Sequence, residues 1–350
     1  MKKTIALTAL AGLATAAAAQ SITLERIATV DASGALAAST QAASVAWNGT
    51  DLYIGEYANA AGLVGVTRIG DALGAQNVSR FGDMATQAFR GAFQLDIDGD
   101  SVAVLHQTTG GAATSNMRTY DGPTGAVTSE PTTTDVGATG IGGMAFDPIN
   151  GGLAQAQFGS GRFRQYDTST NATIWDGASG PVNFNGAWGT AYRGIDADDD
   201  GNFYAREGDQ LVKFTRTGPD SFSSDAVTSI LNGQFGDGVG DNTNGQGVEV
   251  ADEWGAVFYN DRTNTGGGQL VGDVLKVVGT DGSAIALNFA NSPADFLTNA
   301  WLDFSYDPAT NTLAVSNFSS NRVNIYRVTP TPSALAVLGL GGLAAARRRR

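Results

Sequence analysis

A short pattern recurs six times along this 350-residue chain, and that regularity constrains the fold more than any other feature of the sequence. Each copy has two apolar residues in alternation, a turn, a second short apolar strand and then a polar residue. Successive copies begin 50, 49, 51, 53 and 56 residues apart, a regular period typical of repeat architectures. The opening triplets, numbered here as repeats 1 to 6, are Val45-Ala46-Trp47, Leu95-Asp96-Ile97, Met144-Ala145-Phe146, Ile195-Asp196-Ala197, Val248-Glu249-Val250 and Phe304-Ser305-Tyr306.

Each repeat has the pattern of β-structure. Alternation with a period of two predicts a strand, and pairs such as Asn48-Gly49 and Asp98-Gly99 predict the turn that follows it. Further short apolar strands come next, as in Phe203-Tyr204-Ala205 and Leu211-Val212-Lys213-Phe214. Units of about 50 residues with three or four strands have the size of propeller blades, whereas the coils of a β-solenoid are usually shorter. The sequence therefore predicts an all-β, six-bladed β-propeller.

The two ends of the repeat region predict how the ring closes. Repeat 6 runs out of strand-forming sequence after Tyr326, while residues 22 to 30 form an orphan strand ahead of repeat 1. If that strand joins the last blade, two exposed sheet edges disappear. We therefore expect a single propeller domain over residues 20–328, with its last blade closed by the N-terminal strand.

The first 19 residues predict an export signal. Lys2 and Lys3 are followed by an apolar run over residues 5–13, and Ala17-Ala18-Ala19 offers a small-residue cleavage site. The chain has no cysteine, so disulfides do not hold its fold.

Residues 329–350 predict a membrane-sorting tail. Pro330 and Pro332 precede 14 uncharged residues, which predict a short apolar helix, and the chain closes on Arg347, Arg348, Arg349 and Arg350. The uncharged stretch falls short of the roughly 20 residues that span a bilayer, and the arginines would stay on the cytoplasmic side. Proline, small apolar helix and arginine cluster together resemble the PEP-CTERM sorting tail, although its Pro-Glu-Pro motif is Pro-Thr-Pro here.

That resemblance implies location and a partner. In the PEP-CTERM family an exosortase in the inner membrane recognises the tail, and the protein is delivered to the cell surface or the extracellular matrix. The alternative is a plain C-terminal membrane anchor. On either interpretation the tail is an address and not part of the fold.

The net charge of the chain limits the kinds of ligand that it can attract. When Lys2, Lys3 and the four terminal arginines are left out, the rest of the chain has 15 basic and 34 acidic residues. This part, called the body of the chain, therefore has a net charge of −19. Such a surface repels nucleic acid and anionic lipid, and it favours cations. Nucleic acid is therefore excluded as a partner.

Repeat 6 also carries a family resemblance. Its segment from Leu313 through Asn317, Asn321 and Arg322 to Tyr326 resembles the NHL-type propeller repeat, and repeat 3 repeats the pattern more weakly, with Arg162 in the matching place. The resemblance implies a propeller fold but carries no activity, since such folds host many functions.

An acidic segment in repeat 4 matches the EF-hand loop at every required position, from Asp196 through Asp198, Asp200 and Gly201 to Glu207. The repeat argues against a complete site. It places Asp196 in a first strand, Asp200 in the hairpin turn and Glu207 at the far end of the next strand, roughly 16 Å from the turn at 3.3 Å per residue. A partial calcium site on Asp198 and Asp200 and an ordinary acidic turn remain as alternatives.

A polar residue four positions into each second strand suggests a ring around one mouth of the channel. The six residues are Glu56, His106, Gln157, Glu207, Asp261 and Asn317. The segments that enter the first strands bring Arg90, Trp188, Tyr192, Arg193, Trp301 and Asp303 to the same rim. Such a rim could hold a cation, a sugar or another small polar ligand. The competing interpretation is that these side chains only bond loop amides at strand ends.

Conventional catalytic motifs are absent from the sequence. It has a single histidine, no cysteine nucleophile and no Gly-x-Ser-x-Gly elbow, so a triad and a zinc site lack support. We expect a surface or matrix propeller that binds a ligand or partner through its rim, with no assigned enzymatic activity. The alternative is a calcium-dependent hydrolase of the lactonase or phosphoesterase kind. Glu56, Glu207 and Asp261, with Asn317, would then hold the metal.

Overall fold

A computed structural model describes most of the repeat region: residues 21–86, 90–107, 117–130, 141–157, 163–176, 192–207, 210–219, 221–232, 247–260, 274–291 and 303–331. The predicted export signal and the predicted apolar C-terminal helix lie outside these ranges.

The described chain is built from β-strands. An initial strand, β1 (Ser21–Asp31), precedes the repeats. Repeat 1 supplies β2 (Thr40–Trp47), β3 (Leu52–Ala58), β4 (Gly62–Gly70) and β5 (Asn77–Thr86); repeat 2 supplies β6 (Arg90–Asp98), β7 (Ser101–Gln107), β8 (Met117–Asp121) and β9 (Val127–Ser129); repeat 3 supplies β10 (Ile141–Phe146), β11 (Leu153–Gln157), β12 (Phe163–Tyr166) and β13 (Thr173–Asp176).

The second half continues in the same way. Repeat 4 supplies β14 (Tyr192–Ala197), β15 (Phe203–Glu207), β16 (Gln210–Gly218) and β17 (Ser221–Asn232); repeat 5 supplies β18 (Val248–Ala251), β19 (Ala256–Asn260), β20 (Leu275–Gly279) and β21 (Ala286–Phe289); repeat 6 supplies β22 (Phe304–Asp307), β23 (Thr312–Asn317) and β24 (Arg322–Thr331). A 3₁₀ turn, Asp252–Trp254, follows β18. Within the described ranges no helix has the length and apolar character needed to cross a membrane.

The repeats form antiparallel sheets around a common axis. Within each repeat the first strand pairs with the second and the second with the third. Each first strand contacts the first strand of the next repeat, and β22 contacts β2, so the first strands line a closed ring. The fold is therefore an all-β propeller, as the repeat pattern predicts.

The hydrophobic core lies between neighbouring sheets. One cluster joins Phe163 of repeat 3 to Phe203, Phe214 and Phe222 of repeat 4, all almost fully buried. Their ring centroids lie 5.1 to 5.6 Å apart, close enough for aromatic pairing. Because both faces of a sheet meet other sheets, the strands are apolar on both sides and not only at alternate positions.

The N-terminal strand closes the last sheet. β1 pairs antiparallel with β24 from Ser21 opposite Thr331 to Asp31 opposite Arg322, which confirms the pairing expected of the orphan strand. β1 also pairs in parallel with β21 of repeat 5, a contact that the sequence did not predict. Since β24 continues through Thr331, the last strand extends three residues beyond the predicted domain boundary at residue 328.

The hairpin between the first two strands of repeat 1 depends on glycine. Gly49 has a φ of +83°, a left-handed conformation that suits glycine. A Cβ atom there would also lie 2.5 Å from Oδ2 of Asp307, in the corresponding turn of repeat 6. The turns of adjacent repeats therefore pack against each other at this end of the channel.

Candidate functional site

Carboxyl side chains from four repeats lie on the inner ring of first strands, near enough for their charges to interact, and are called the channel carboxyls below. Asp96 lies on β6, Asp196 on β14, Glu249 on β18, and Asp303 immediately before β22. Asp303 is 3% exposed, and the other three retain some accessible surface although protein surrounds them. This combination is expected for residues on the wall of a narrow channel.

Each of these carboxyls accepts a main-chain hydrogen bond from the following repeat. Asp96 accepts from the amide of Phe146 and Asp196 from that of Val250, both at 2.6 Å. Glu249 accepts from the amide of Tyr306, and Asp303 from that of Val45 at 2.9 Å. The carboxyls therefore join first strands whose main chains do not pair directly.

Neutral side chains make equivalent junctions. Ser305 Oγ accepts a hydrogen bond from the amide of Trp47 at 2.9 Å. Gln94 accepts one from the amide of Met144 at 3.0 Å and donates from Nε2 to the carbonyl of Ile195, also at 3.0 Å. The inner ring is thus held by side-chain to main-chain hydrogen bonds around the channel.

Burial raises the pKa of all four channel carboxyls, and the charge of a nearby acid adds to the shift of each. Burial raises the pKa of Asp96 to about 6 and that of Asp303 to about 8, with a smaller contribution to Asp303 from the charge of Asp96. The pKa values of Asp196 and Glu249 are also raised, first by burial and then by the neighbouring channel carboxylates. These groups therefore bind protons more tightly than exposed carboxyls do.

An open cavity of about 430 Å³ lies where the first strands end. Its walls come from the hairpin turns of repeats 1, 2 and 6: Trp47 and Asn48, residues 97–100, and residues 306–308. Since each first strand runs toward its hairpin and the second strand runs back, this cavity lies at the end of the channel opposite the predicted rim. Its volume falls within the range typical of small-molecule sites.

The cavity is acidic. Asp98 and Asp100 are exposed at its edge, and none of the described residues that line it is a lysine or an arginine. Asp307 is mostly buried and its Oδ2 accepts a 2.9 Å hydrogen bond from the amide of Thr310, which fixes the turn. Asp98 also lies near enough to Asp96 to affect its titration, so the acidity extends from the cavity into the channel.

Glu56, the first residue of the predicted rim, is fully buried within repeat 1. Arg80 donates to both of its oxygens, from Nε at 2.7 Å and from Nη2 at 2.6 Å. Thr67 donates its hydroxyl at 2.8 Å, and the amides of Gly65 and Ala37 donate at 3.2 and 3.1 Å. Five protein donors therefore surround this carboxylate.

His106 and Asn317 are also buried. Burial, aided by the charge of Arg118, lowers the pKa of His106 to about 3, so the ring is neutral at physiological pH. Neither ring nitrogen has a hydrogen-bond partner within the described ranges. Asn317 Oδ1 accepts from the amides of Ser319 and Ser320 at 3.0 and 3.3 Å, the loop bonding that the competing interpretation expects.

Strand geometry explains why these three side chains do not line the channel. Glu56 shares a strand face with Leu52 and Ile54, which pack against repeat 6. His106 follows Val102 and Val104 toward repeat 1 in the same way. These positions face the preceding repeat and not the axis of the ring.

The remaining predicted rim residues cannot be placed as side chains. Gln157 and Glu207 end β11 and β15, and Arg90, Tyr192 and Arg193 lie on β6 and β14, but their side chains are not described. Trp188, Asp261 and Trp301 lie outside the described residues, as do Pro332 and Arg347 to Arg350 of the tail. Pro330 lies on β24, opposite Ile22 of β1.

In the acidic hairpin of repeat 4, residues of the same hairpin donate hydrogen bonds to the Asp198 carboxylate. Asp198 accepts hydrogen bonds from the amide of Asn202 at 2.8 Å, from the Asn202 side chain, and from the hydroxyl of Tyr204 at 2.9 Å. Asp196 points to the channel junction described above, and Gly201 turns the chain with a φ of +73°. Across the described ranges, no three His, Asp or Glu side chains are grouped so that they could hold a metal ion.

Sequence reasoning placed Asp303 at the predicted rim but missed the channel role of the other three carboxyls, although the repeat contained a signal for them. Asp96, Asp196 and Glu249 occupy the middle position of an apolar triplet, where a charged residue is unexpected in a buried strand. Ser305 has the same position in repeat 6. A polar residue repeated at the centre of a buried strand indicates a recurrent hydrogen-bonding role.

Comparisons with known proteins support the fold. No model of a protein family matches the chain, and no curated protein matches it. It is similar to a Bacteroides thetaiotaomicron structural genomics protein of unknown function, with a TM-score of 0.55, 14% identity, and coverage of 89% of this chain and 76% of the other. An auxiliary nutrient binding protein from the same organism gives 0.50 and 14%, covering 82% and 69%. The β-propeller domain of Myceliophteria thermophila Cps50 (Swd1) gives 0.45 and 12%, covering 82% of each chain. At such identities the first two similarities concern the fold alone.

Proposed function

We propose that this chain is an exported, six-bladed β-propeller that binds a small positively charged ligand at the acidic mouth of its channel. One observation carries the proposal: an open cavity of about 430 Å³, walled by the turns of three repeats and edged by Asp98 and Asp100. A concave site with few, convergent polar groups is the usual form of a ligand pocket. One protein of similar fold is described as a nutrient binding protein, which agrees with a binding role.

Electrostatics favours a cation over other small molecules. The carboxylates at the edge of the cavity attract positive charge, and the body of the chain carries a net charge of −19. A ligand with an amine or guanidinium group would satisfy Asp98 and Asp100 directly. The calcium-dependent hydrolase gains no support, because Glu56, one of its ligands, is held by Arg80 and three other residues that donate hydrogen bonds.

Calorimetric titration with spermidine tests the binding proposal. We expect spermidine to bind the purified propeller, and Asp98→Asn with Asp100→Asn to weaken binding at least about tenfold, because two charges that face the ligand are lost. Asp199→Asn with Asp200→Asn removes two exposed acids from the equivalent turn of repeat 4, outside the cavity, and serves as the matched control. Equal losses in both double variants would reduce the interaction to general charge attraction, and no binding at all would contradict the proposal.

We also propose that the tail places the propeller at the cell surface through an exosortase-like enzyme. The extent of β24 sharpens the test, since residues 329–331 pair with β1 and belong to the fold. Deletion of residues 332–350 should release soluble, folded protein, because no paired strand residue is lost. Deletion from residue 329 should release less stable protein, as measured by thermal unfolding of the secreted material. Protein that stays membrane-bound after either deletion would contradict the role of the tail.

A further inference from the structure

The junctions between first strands share one geometry, and in three of them the same position carries an acid. Asp96, Asp196 and Glu249 each occupy the middle of the triplet, and each accepts the amide of the third triplet residue in the next repeat. Asp303 lies two residues before Ser305 and accepts the amide of Val45, the first triplet residue of repeat 1, while Ser305 accepts that of Trp47, the third. The ring is therefore closed largely by groups that can lose a proton.

We infer that these four channel carboxyls form one titrating unit that tightens the propeller ring when they hold protons and loosens it when they ionise together. A protonated carboxyl keeps its carbonyl oxygen as an acceptor for the neighbouring amide, so the junction survives protonation. Full ionisation places four like charges along one narrow channel, where their repulsion opposes the contacts between strands. This inference does not depend on the proposed ligand.

The surroundings of the channel supply no compensating charge among the described side chains. β2 and β10 present Ala46 and Ala145 at the equivalent triplet positions, and the only further acid that affects Asp96 directly is Asp98 at the mouth. No ion pair between described residues links a lysine or arginine to any of the four carboxyls. Their charges are therefore relieved by protons.

The sign of the pH dependence follows from linkage. A carboxyl whose pKa is raised by folding stabilises the fold fully below its unfolded pKa of about 4, and this contribution is lost as the pH rises through the folded pKa. For Asp96 and Asp303 the folded values are about 6 and about 8. His106 acts in the opposite sense, since its lowered pKa destabilises the fold as the pH falls below about 6.5. From pH 6.5 to 8.5 His106 no longer contributes and Asp96 is largely ionised, so the pH dependence reports on Asp303, Asp196 and Glu249.

Urea unfolding of the propeller at pH 6.5, 7.5 and 8.5 tests the inference. The unfolding equilibrium constant should rise at least about tenfold over this range, because each carboxyl that is still protonated in the folded state but ionised in the unfolded state contributes up to tenfold per pH unit. Asp303→Asn and Glu249→Gln keep an acceptor oxygen for the Val45 and Tyr306 amides, and together they should flatten the dependence. Asp199→Asn, an exposed acid outside the channel, should leave it unchanged. A flat wild-type profile, or an unchanged slope in the double variant, would overturn the inference.

A second measurement tests the inference even if a variant fails to fold, because it uses the wild-type protein. Carbon-13 NMR of the carboxyl groups in the native protein follows titration without unfolding, and it should show several carboxyls that protonate above pH 5.5. If all carboxyls titrate below pH 5, the channel unit does not exist, whatever the variants do.

Discussion

Removal of residues 21–31 is expected to abolish cooperative folding of the propeller. This deletion removes β1 and with it the buried side chains of Ile22, Leu24 and Val30. Each contributes about 1.5–3 kcal/mol of burial, and the loss also exposes β24 and β21 as open sheet edges. The sum is comparable to the whole stability of a typical domain, which is about 5–15 kcal/mol. Circular dichroism during thermal unfolding would show a broad, low-temperature transition or none.

Two point variants on β1, one at a buried and one at an exposed position, test whether closure of the ring depends on the buried face of this strand. Leu24→Asp places a charge in the core between repeats 5 and 6 and should destabilise the propeller strongly. Ile27→Asp changes a side chain that is 36% exposed, and the free energy of unfolding should move far less. A deletion protein that still unfolds cooperatively at the wild-type temperature would show that the ring does not need this strand.

Glu56→Gln is expected to lower the free energy of unfolding by about 3–5 kcal/mol. Glutamine has a single acceptor oxygen, so several of the five donors around Glu56 lose their buried acceptor, and Arg80 keeps only the exposed Asp83 as an ion-pair partner. Asp83→Asn is the matched control, because Asp83 also pairs with Arg80 but its side chain is 44% exposed. An exposed pair contributes about 1 kcal/mol or less. Urea unfolding of the two variants measures the difference.

The double variant Glu56→Gln with Arg80→Met sharpens this test. Removal of both charges should recover part of the lost stability, since no unpaired charge then remains buried. If Glu56 were instead a metal ligand, Glu56→Gln would abolish a calcium-dependent rise in Tm and change little in a chelator. That result would restore the rim as a metal site.

The fold was largely predictable because apolar residues that alternate with a period of two identify a β-strand from the sequence alone. The triplets around Val45, Leu95 and Phe304 fall on the first strands β2, β6 and β22, and the orphan N-terminal strand does pair with β24. The parallel contact between β1 and β21 could not be foreseen. It depends on how repeats 5 and 6 pack against each other, and a local sequence pattern carries no information about that packing.

The site was harder to predict, since alternation reveals two faces of a strand but not what each face meets. Glu56, His106 and Asn317 share a recurrent polar position in the sequence, but these buried side chains follow strand faces that pack against the neighbouring repeat. The channel position itself was masked by its apolar neighbours in the triplets of Asp96 and Asp196. A carboxylate there looks like an exception to the strand pattern until the next repeat's amide is placed beside it.

The pairing of β1 with β24 also orders events in folding. Glu25 and Arg327 form an ion pair at 3.0 Å although 302 residues separate them, so the last sheet forms only when both ends of the repeat region are present. The entropy of closing such a loop grows slowly with its length, but contacts of this sequence separation slow folding considerably. All six repeats can form their local hairpins first, and we expect the pairing of the two terminal strands, which closes the ring, to come late in folding.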